Sequence, residues 1–91
     1  MKKLTKNFSL AKLGEECGEL QQVVGKNLIK PRDKHLSLLE DEIADVLAAS
    51  KIVIDRFGLD EQKIMKRVQE KLDKYDTYIL VIDCETGLVL S

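Results

Sequence analysis

Two stretches of eight residues in this chain share one pattern of apolar and acidic positions. They are Leu13–Leu20 (LGEECGEL) and Leu39–Val46 (LEDEIADV). Apolar residues align at the first, fifth and eighth positions, and acids align at the third, fourth and seventh. Apolar positions spaced by four and then three residues are typical of an amphipathic helix. Each octet therefore predicts a helix that carries acids beside an apolar stripe.

The first predicted helix begins at Ser9, a residue type that commonly caps helix N-termini. It ends near Asn27 or Leu28, because Pro31 prevents much extension. Cys17 and Cys84 are too few to form a disulfide framework. Cys17 lies on the apolar stripe of this helix and is interpreted as a small core residue. The apolar stripe through which this helix is expected to pack comprises Leu10, Leu13, Cys17, Leu20, Val24 and Leu28.

The second predicted helix opens at Ser37–Glu40, which has the form of a capping box, and ends before Gly58. The third begins after the predicted N-cap Asp60, and its apolar stripe reaches Tyr75. His35, the only histidine, falls in the connection before the second helix and is interpreted as a surface residue. The connection is short, so the first two helices are expected to be antiparallel neighbours.

The predicted fold class is all-α, an antiparallel helical bundle completed by oligomerisation. Ninety-one residues are expected to form a single domain (1–91), and a chain of this length often needs a partner to finish its core. The helical core is predicted to span about residues 8–76. In the tail (77–91), Tyr78–Ile82 and Leu88–Leu90 flank a Gly-containing turn, which indicates a short β-hairpin.

Charge and hydropathy narrow the classes of function. The chain has 15 basic and 16 acidic residues, a formal net charge of −1. This balance disfavours a dedicated nucleic-acid binder, which would have a basic excess. No run of about 18 apolar residues or signal-peptide core is present, so no membrane association is expected. The cytoplasm is the expected location.

The repeat predicts a cation site. In each octet two acids lie beside the apolar stripe: Glu16 and Glu19 in the first, Glu42 and Asp45 in the second. If the helices pack through these stripes, a local two-fold axis brings the four carboxylates together. Their repulsion favours a bound divalent cation, and hard oxygen ligands select Mg²⁺, with Mn²⁺ as a substitute.

Two observations in the same octets have simpler explanations as well. Acids three residues apart on a helix are most often solvated surface groups, so one such pair alone would indicate little. Gly14 and Gly18 are unfavourable inside a helix, which indicates close approach of another backbone or of a ligand. A tight helix–helix crossing without any ligand would explain these glycines equally well.

The two acidic elements resemble those of the MazG-like nucleoside triphosphate pyrophosphohydrolases. Glu15–Glu19 fits the family's E-E-x-x-E element and Glu42–Asp45 its E-x-x-D element. The likeness covers roughly residues 8 to 76. It implies a helical fold completed as a homodimer or homotetramer. It also implies Mg²⁺-dependent hydrolysis of the α–β phosphoanhydride of a nucleotide, giving a monophosphate and pyrophosphate.

The resemblance also assigns roles to single residues. The Mg²⁺ ligands would be Glu16, Glu19, Glu42 and Asp45. Glu15 would bind a second ion or orient the attacking water, or else is a solvated charge. Lys12 resembles a family lysine that meets substrate phosphate; the alternative is an intrahelical ion pair with the neighbouring glutamates. On the last helix the candidates for phosphate binding are Lys71, Lys74 and Arg67, which could equally form a solvated face.

Three rival functions remain open from the sequence. Phosphoribosyl-ATP pyrophosphohydrolases share the acid pairs, but usually have a basic residue before the double glutamate and a Tyr-His after the aspartate. Gly14 and Leu47–Ala48 stand there instead. A di-iron bundle would need Glu-x-x-His pairs, which are absent from both octets. The third is a non-catalytic dimeric helical module whose acids serve solubility or a basic partner.

Overall fold

The computed structural model describes residues 5–30 and 32–79, with side chains through residue 76. In this part of the chain the helices are α1 (Lys6–Ile29), α2 (Asp33–Phe57) and α3 (Glu61–Ile79). Over these residues there is no strand, which confirms the predicted all-α class. A bilayer-spanning helix is also absent from this part, since none of the three combines the required length with sufficient hydropathy.

Helix α1 begins earlier than predicted. Thr5 is its N-cap, and the Thr5 hydroxyl oxygen accepts a hydrogen bond of 3.1 Å from the backbone N–H of Phe8. The predicted N-cap, Ser9, is wrong: it lies inside the helix and is buried. Its hydroxyl donates to the Lys6 carbonyl at 2.7 Å. A serine can occupy a helix interior when its hydroxyl bonds back to the preceding turn.

Helix α2 also begins before its predicted start and ends where expected. Its N-cap is Arg32, and Asp33 places a negative charge in the first turn, where the helix dipole favours it. Ser37–Glu40 therefore lies inside the helix and is not a capping box. At the other end Gly58 adopts φ 60° and ψ 39°, as predicted for a residue that terminates a helix.

Helices α1 and α2 are antiparallel, as predicted. The Lys6 ammonium lies 6.0 Å from the centre of the Phe57 ring, so the start of α1 is near the end of α2. At the other end, the Asn27 amide donates to the His35 carbonyl at 3.1 Å. His35 is half-buried within α2 rather than in a connection. Its Nδ1 donates to the Lys30 carbonyl at 2.8 Å, which satisfies an acceptor just after α1.

The line of contact between α1 and α2, which we call the seam, is not the predicted apolar stripe. The buried residues of the pair are Ser9, Glu16 and Val23 on α1 and Ala49 and Val53 on α2. Each buried α1 residue immediately precedes a member of the predicted stripe, so the seam is displaced by about 100° around the helix. The exposed members of that stripe are Leu10, Cys17, Val24 and Leu28. The interpretation of Cys17 as a core residue is therefore wrong.

The chain divides into two compact units after Leu59, so α3 is described by itself. The Asp60 side chain accepts a hydrogen bond of 3.1 Å from the backbone N–H of Lys63, which confirms the predicted N-cap. Tyr78 and Ile79, predicted to start a strand, belong to α3. The rest of the predicted hairpin lies outside the described residues.

Candidate metal centre

Three glutamates from α1 and α2 converge on one point of the seam. Glu16 and Glu19 come from α1 and Glu42 from α2, and each offers a carboxylate oxygen within 4.8 Å of the other two. All three occupy the positions at which the repeated octets predicted cation ligands. Oxygen ligands supplied by several carboxylates suit a hard divalent cation such as Mg²⁺.

The seam places Glu16 and Glu42 at its centre. The two residues are equivalent positions of the repeat, as are Val23 and Ala49, which follow two helical turns later. Both Val23 and Ala49 are buried. An antiparallel pair of equivalent helices has its local two-fold axis normal to the plane of the pair. Residues that lie at the axis meet each other, and Glu16 and Glu42 do so here.

Two carboxylate oxygens of this cluster are buried, and no hydrogen bond from the described residues replaces the water that they lose. The Glu16 residue is 7% exposed. Within the described part of the chain, Oε2 of Glu16 and Oε2 of Glu42 have no hydrogen-bond partner. The other oxygen of Glu16 lies 3.6 Å from the Lys12 ammonium. Because a buried acceptor without a partner is unfavourable, these oxygens fit the coordination of a cation.

The Glu42 carboxyl has a raised pKa. Desolvation contributes most, followed by the negative charges of Glu19, Asp45 and Glu16 and a hydrogen bond with Glu19. All three causes favour the protonated form over the ionised form. A nearby divalent cation would act in the opposite direction and favour ionisation.

This shift predicts how pH changes the stability of the metal-free protein. Because the folded state holds the Glu42 proton more tightly than the unfolded chain does, Glu42 ionisation lowers the free energy of unfolding as pH rises from the ordinary glutamate range through the raised pKa. We expect Glu42→Gln to melt close to the unaltered protein at about pH 4, and above it near pH 7. Melting curves with chelator would test this, with Glu40→Gln, an exposed neighbour, as the control. A melting difference that stays constant or shrinks with rising pH would contradict it.

Asp45, the fourth predicted ligand, lies beside this cluster rather than within it. Among the described residues, the group whose oxygens lie within 4.8 Å of one another comprises Glu16, Glu19 and Glu42. Asp45 is equivalent to Glu19 in the repeat, but its side chain is one methylene shorter and is exposed. Its charge still raises the pKa of Glu42. Asp45 is therefore close enough to act electrostatically, and its role as a ligand stays a prediction.

Lys12 and Glu15 lie at the edge of the cluster and contact each other. The Lys12 ammonium lies 3.4 Å from Oε1 of Glu15, whose side chain is 56% exposed. The hydrogen bond and charge of Glu15, with a smaller contribution from Glu16, raise the pKa of Lys12. The intrahelical ion pair considered from the sequence is thus present. Catalytic roles for Glu15 and Lys12 stay predictions.

The predicted phosphate-binding residues of α3 belong to the second compact unit. Arg67 forms an ion pair of 3.4 Å with Glu70, one turn along the same helix. Lys71 is half-buried, and Lys74 is exposed. Their contact with phosphate stays a prediction.

Gly14 and Gly18 do not mark a close approach inside the described chain. A Cβ atom built on either glycine would have no other atom of the described residues within 4 Å, apart from its own helix backbone. The contact between α1 and α2 therefore does not explain them, and a role in ligand binding stays a prediction. They lie on open surface of α1.

Asn27 is a residue whose contribution the sequence did not predict. Its amide group donates to the Val23 carbonyl at 3.0 Å as well as to His35 of α2. The residue therefore ties the connected ends of the two helices together. An asparagine within the last two turns of a helix, facing a short connection, was the available signal, since its side chain can reach neighbouring backbone groups.

In comparisons with known proteins, no family model, curated protein or solved structure matches this chain.

Proposed function

We propose that this chain is a Mg²⁺-dependent nucleoside triphosphate pyrophosphohydrolase of the MazG-like kind. It would cleave the α–β phosphoanhydride of a nucleotide and release a nucleoside monophosphate and pyrophosphate. Mn²⁺ would substitute for Mg²⁺. We place the activity in the cytoplasm, where nucleoside triphosphates are abundant.

The observation that carries the proposal is the group of three glutamates with two buried, unpartnered oxygens. Acids on a helix surface are common without any ion, and their number alone would decide little. Here, however, Glu16 is nine-tenths buried and its Oε2 has no partner among the described residues. Carboxylates that converge from two helices at such a point are favourable when a cation binds them.

The residues of the cluster would have different roles in metal binding and in activation of the attacking water. Glu16, Glu19 and Glu42 would hold the cation, and Asp45 would extend the negative field on the α2 side. Glu15, exposed beside the cluster, would orient the attacking water or accept its proton. When bound, Mg²⁺ neutralises phosphate charge, aligns the phosphates and lowers the pKa of water. Positioning and charge stabilisation account for most catalysis in phosphoryl transfer.

Lys12, at the edge of the cluster, would recognise the phosphates. The ion pair between Lys12 and Glu15 is solvent-exposed, and exposed pairs contribute little stability. Lys12 can therefore exchange Glu15 for a phosphate oxygen at low cost.

We also propose that the chain works as a homodimer or homotetramer. Several exposed apolar residues of the first unit lie on one side of both helices, a surface that we call the apolar face. Two pairs of them are equivalent in the repeat, Leu10 with Leu36 and Cys17 with Ile43. Because the local two-fold axis is normal to the plane of the pair, equivalent positions fall on the same side of it. The apolar face comprises Leu10, Cys17 and Val24 on α1 and Leu36, Ile43 and Leu47 on α2. A second copy that covers this face would complete the core.

A melting experiment followed by product analysis tests the proposed activity. Addition of Mg²⁺ with a nucleoside triphosphate is expected to raise the melting temperature, because a ligand that binds the folded state stabilises it. A panel of nucleotides that includes phosphoribosyl-ATP should then yield pyrophosphate and a monophosphate from at least one member. Production of a diphosphate and inorganic phosphate instead would contradict the proposed bond specificity.

The same panel distinguishes the rival functions. Turnover of phosphoribosyl-ATP alone would indicate the histidine-pathway enzyme. A protein that forms oligomers, yet gives no melting shift and no pyrophosphate with any nucleotide and Mg²⁺, would be a helical interaction module. That result would refute the proposed hydrolase.

A further inference from the structure

The two central glutamates occupy core positions of the α1–α2 contact. Along α1 the buried residues are Ser9, Glu16 and Val23, which recur every two turns. Glu16 thus lies where a two-helix seam normally holds an aliphatic side chain, and Glu42 meets it from the opposite helix. The cluster is part of the packing of the pair, not an addition to its surface.

Without a cation, the groups at the centre of this seam destabilise the packed pair of helices. In the described part of the chain, the buried apolar residues are Val23, Ala49 and Val53, so hydrophobic burial is small. Between them lie the oxygens of Glu16 and Glu42 that have no partner among the described residues. Like-charged carboxylates in a desolvated position also repel each other. Lys12 lies 3.6 Å from one oxygen of Glu16, but it is shared with Glu15.

We infer that the divalent cation at this cluster is a folding cofactor of the helical pair, which holds α1 against α2 as well as serving catalysis. The inference rests on the metal site of the proposed function. The ligands come from both helices, and Glu16 and Glu42 are far apart along the chain. They converge only when the pair is packed, so the cation binds the packed pair and not the separated helices. Binding of this kind is linked to folding.

Melting of the full chain without nucleotide tests this inference. After treatment with chelator and dialysis, we expect Mg²⁺ at about 100 times its dissociation constant to raise the melting temperature by about 10 °C or more. A potassium salt at equal ionic strength is the control for general screening and should not reproduce the rise. Mn²⁺ binding followed by electron paramagnetic resonance measures occupancy independently. An unchanged melting temperature at full occupancy, or no Mn²⁺ binding at all, would overturn the inference.

Replacement of both central acids gives the complementary test. Glu16→Leu combined with Glu42→Leu makes the seam continuous and apolar. In chelator this variant should melt above the unaltered chain, and Mg²⁺ should no longer raise its melting temperature. The matched control is Glu40→Leu with Asp41→Leu. It removes the same number of charges, but from exposed positions of α2 outside the cluster, and it should keep the full response to Mg²⁺. A retained Mg²⁺ response in the first variant would refute the assignment, and the titration of the unaltered chain decides the question even if that variant aggregates.

Failure of this inference and failure of the proposed activity give different results. A protein that Mg²⁺ stabilises strongly, but that releases no pyrophosphate from any nucleotide, has the folding cofactor without the hydrolase. If the protein hydrolyses nucleotides but bound Mg²⁺ does not change its melting temperature, the proposed activity holds and the inferred folding role of the cation does not.

Discussion

Glu42→Gln is expected to lower the rate of Mg²⁺-dependent pyrophosphate release by at least about 100-fold, because even residues that only support metal ligands typically cost 10–100-fold when replaced. Glutamine keeps the length of the side chain but removes one negative charge and one of the two acceptor oxygens. Glu42 is the member of the three-glutamate group that comes from α2. The substitution would weaken the binding of the cation to α2, and the phosphates would no longer be aligned for hydrolysis.

The fold should survive this substitution. The neutral amide replaces a carboxylate whose pKa is raised by desolvation and neighbouring charges, so the metal-free pair loses an unfavourable ionisation rather than a stabilising contact. Far-UV circular dichroism should therefore show unchanged helix content, while isothermal titration should show weakened Mg²⁺ binding. Glu40→Gln, which removes one charge from the exposed side of α2, is the matched control and should retain activity. Full activity of Glu42→Gln would exclude the proposed site.

The repeated octets contained most of the information about the site. Equivalent acids at equivalent helical angles predicted that the two acid pairs would come together, and the structure brings together three of the four carboxylates, those of Glu16, Glu19 and Glu42. A helix period and a two-fold relation between antiparallel neighbours place the acids of the two helices on the same side of the pair. They bring the acids together only if that side lies near the contact between the helices, and the acids do lie there although the predicted stripe does not.

The line of contact between the helices could not be read from the same pattern. Hydrophobic periodicity predicted that the stripe containing Cys17 and Val24 would face α2, whereas Glu16 and Val23 do so. Helix α1 has an apolar stripe on one side and a polar cluster beside it. Either of these two surfaces could face the neighbouring helix. The choice depends on tertiary packing and on what covers the remaining apolar surface, and neither is encoded in the periodicity of one helix.

Side-chain length explains the remaining difference at the site. Glu19 and Asp45 are equivalent in the repeat, but the glutamate reaches the cluster and the aspartate remains exposed beside it. A pattern that treats both as acids cannot distinguish them. The predicted start of α1 was wrong for a related reason. Thr5 and Ser9 are both favourable N-cap residues, so residue type alone does not distinguish them, and Thr5 is the N-cap in the structure.

Val24→Glu is expected to convert the proposed oligomer to monomers and to raise its dissociation constant by at least about 100-fold, since a charge would be buried without a partner at the interface. Val24 is 40% exposed, so the substitution costs the isolated helical pair little. In a two-fold symmetric dimer each substitution acts twice. Sedimentation velocity across a range of protein concentrations would measure the change.

The apolar face alone is smaller than a standard interface. From Leu10 to Val24 it corresponds to a length of about 21 Å along α1, and two adjacent helices present a width of about 20 Å. The product, about 400 Å² per copy, is about half of the area of about 800 Å² per partner that specific interfaces bury, so the proposed dimer would also use flanking exposed residues such as Leu28 and Leu38. Gly14 and Gly18 border this face on open surface of α1, and small residues there allow a second copy to approach closely.

Gln22→Glu is the matched control for Val24→Glu. It adds the same single charge to α1 at an exposed position, but about 200° around the helix from Val24, away from the apolar face. It should leave the oligomer intact. Because the buried apolar residues of the described chain are Val23, Ala49 and Val53, dissociation should also lower the melting temperature and make that of the unaltered protein depend on concentration. An unaltered chain that sediments as a monomer at all concentrations, or a Val24→Glu variant that remains associated, would mean that something other than a second copy covers this face.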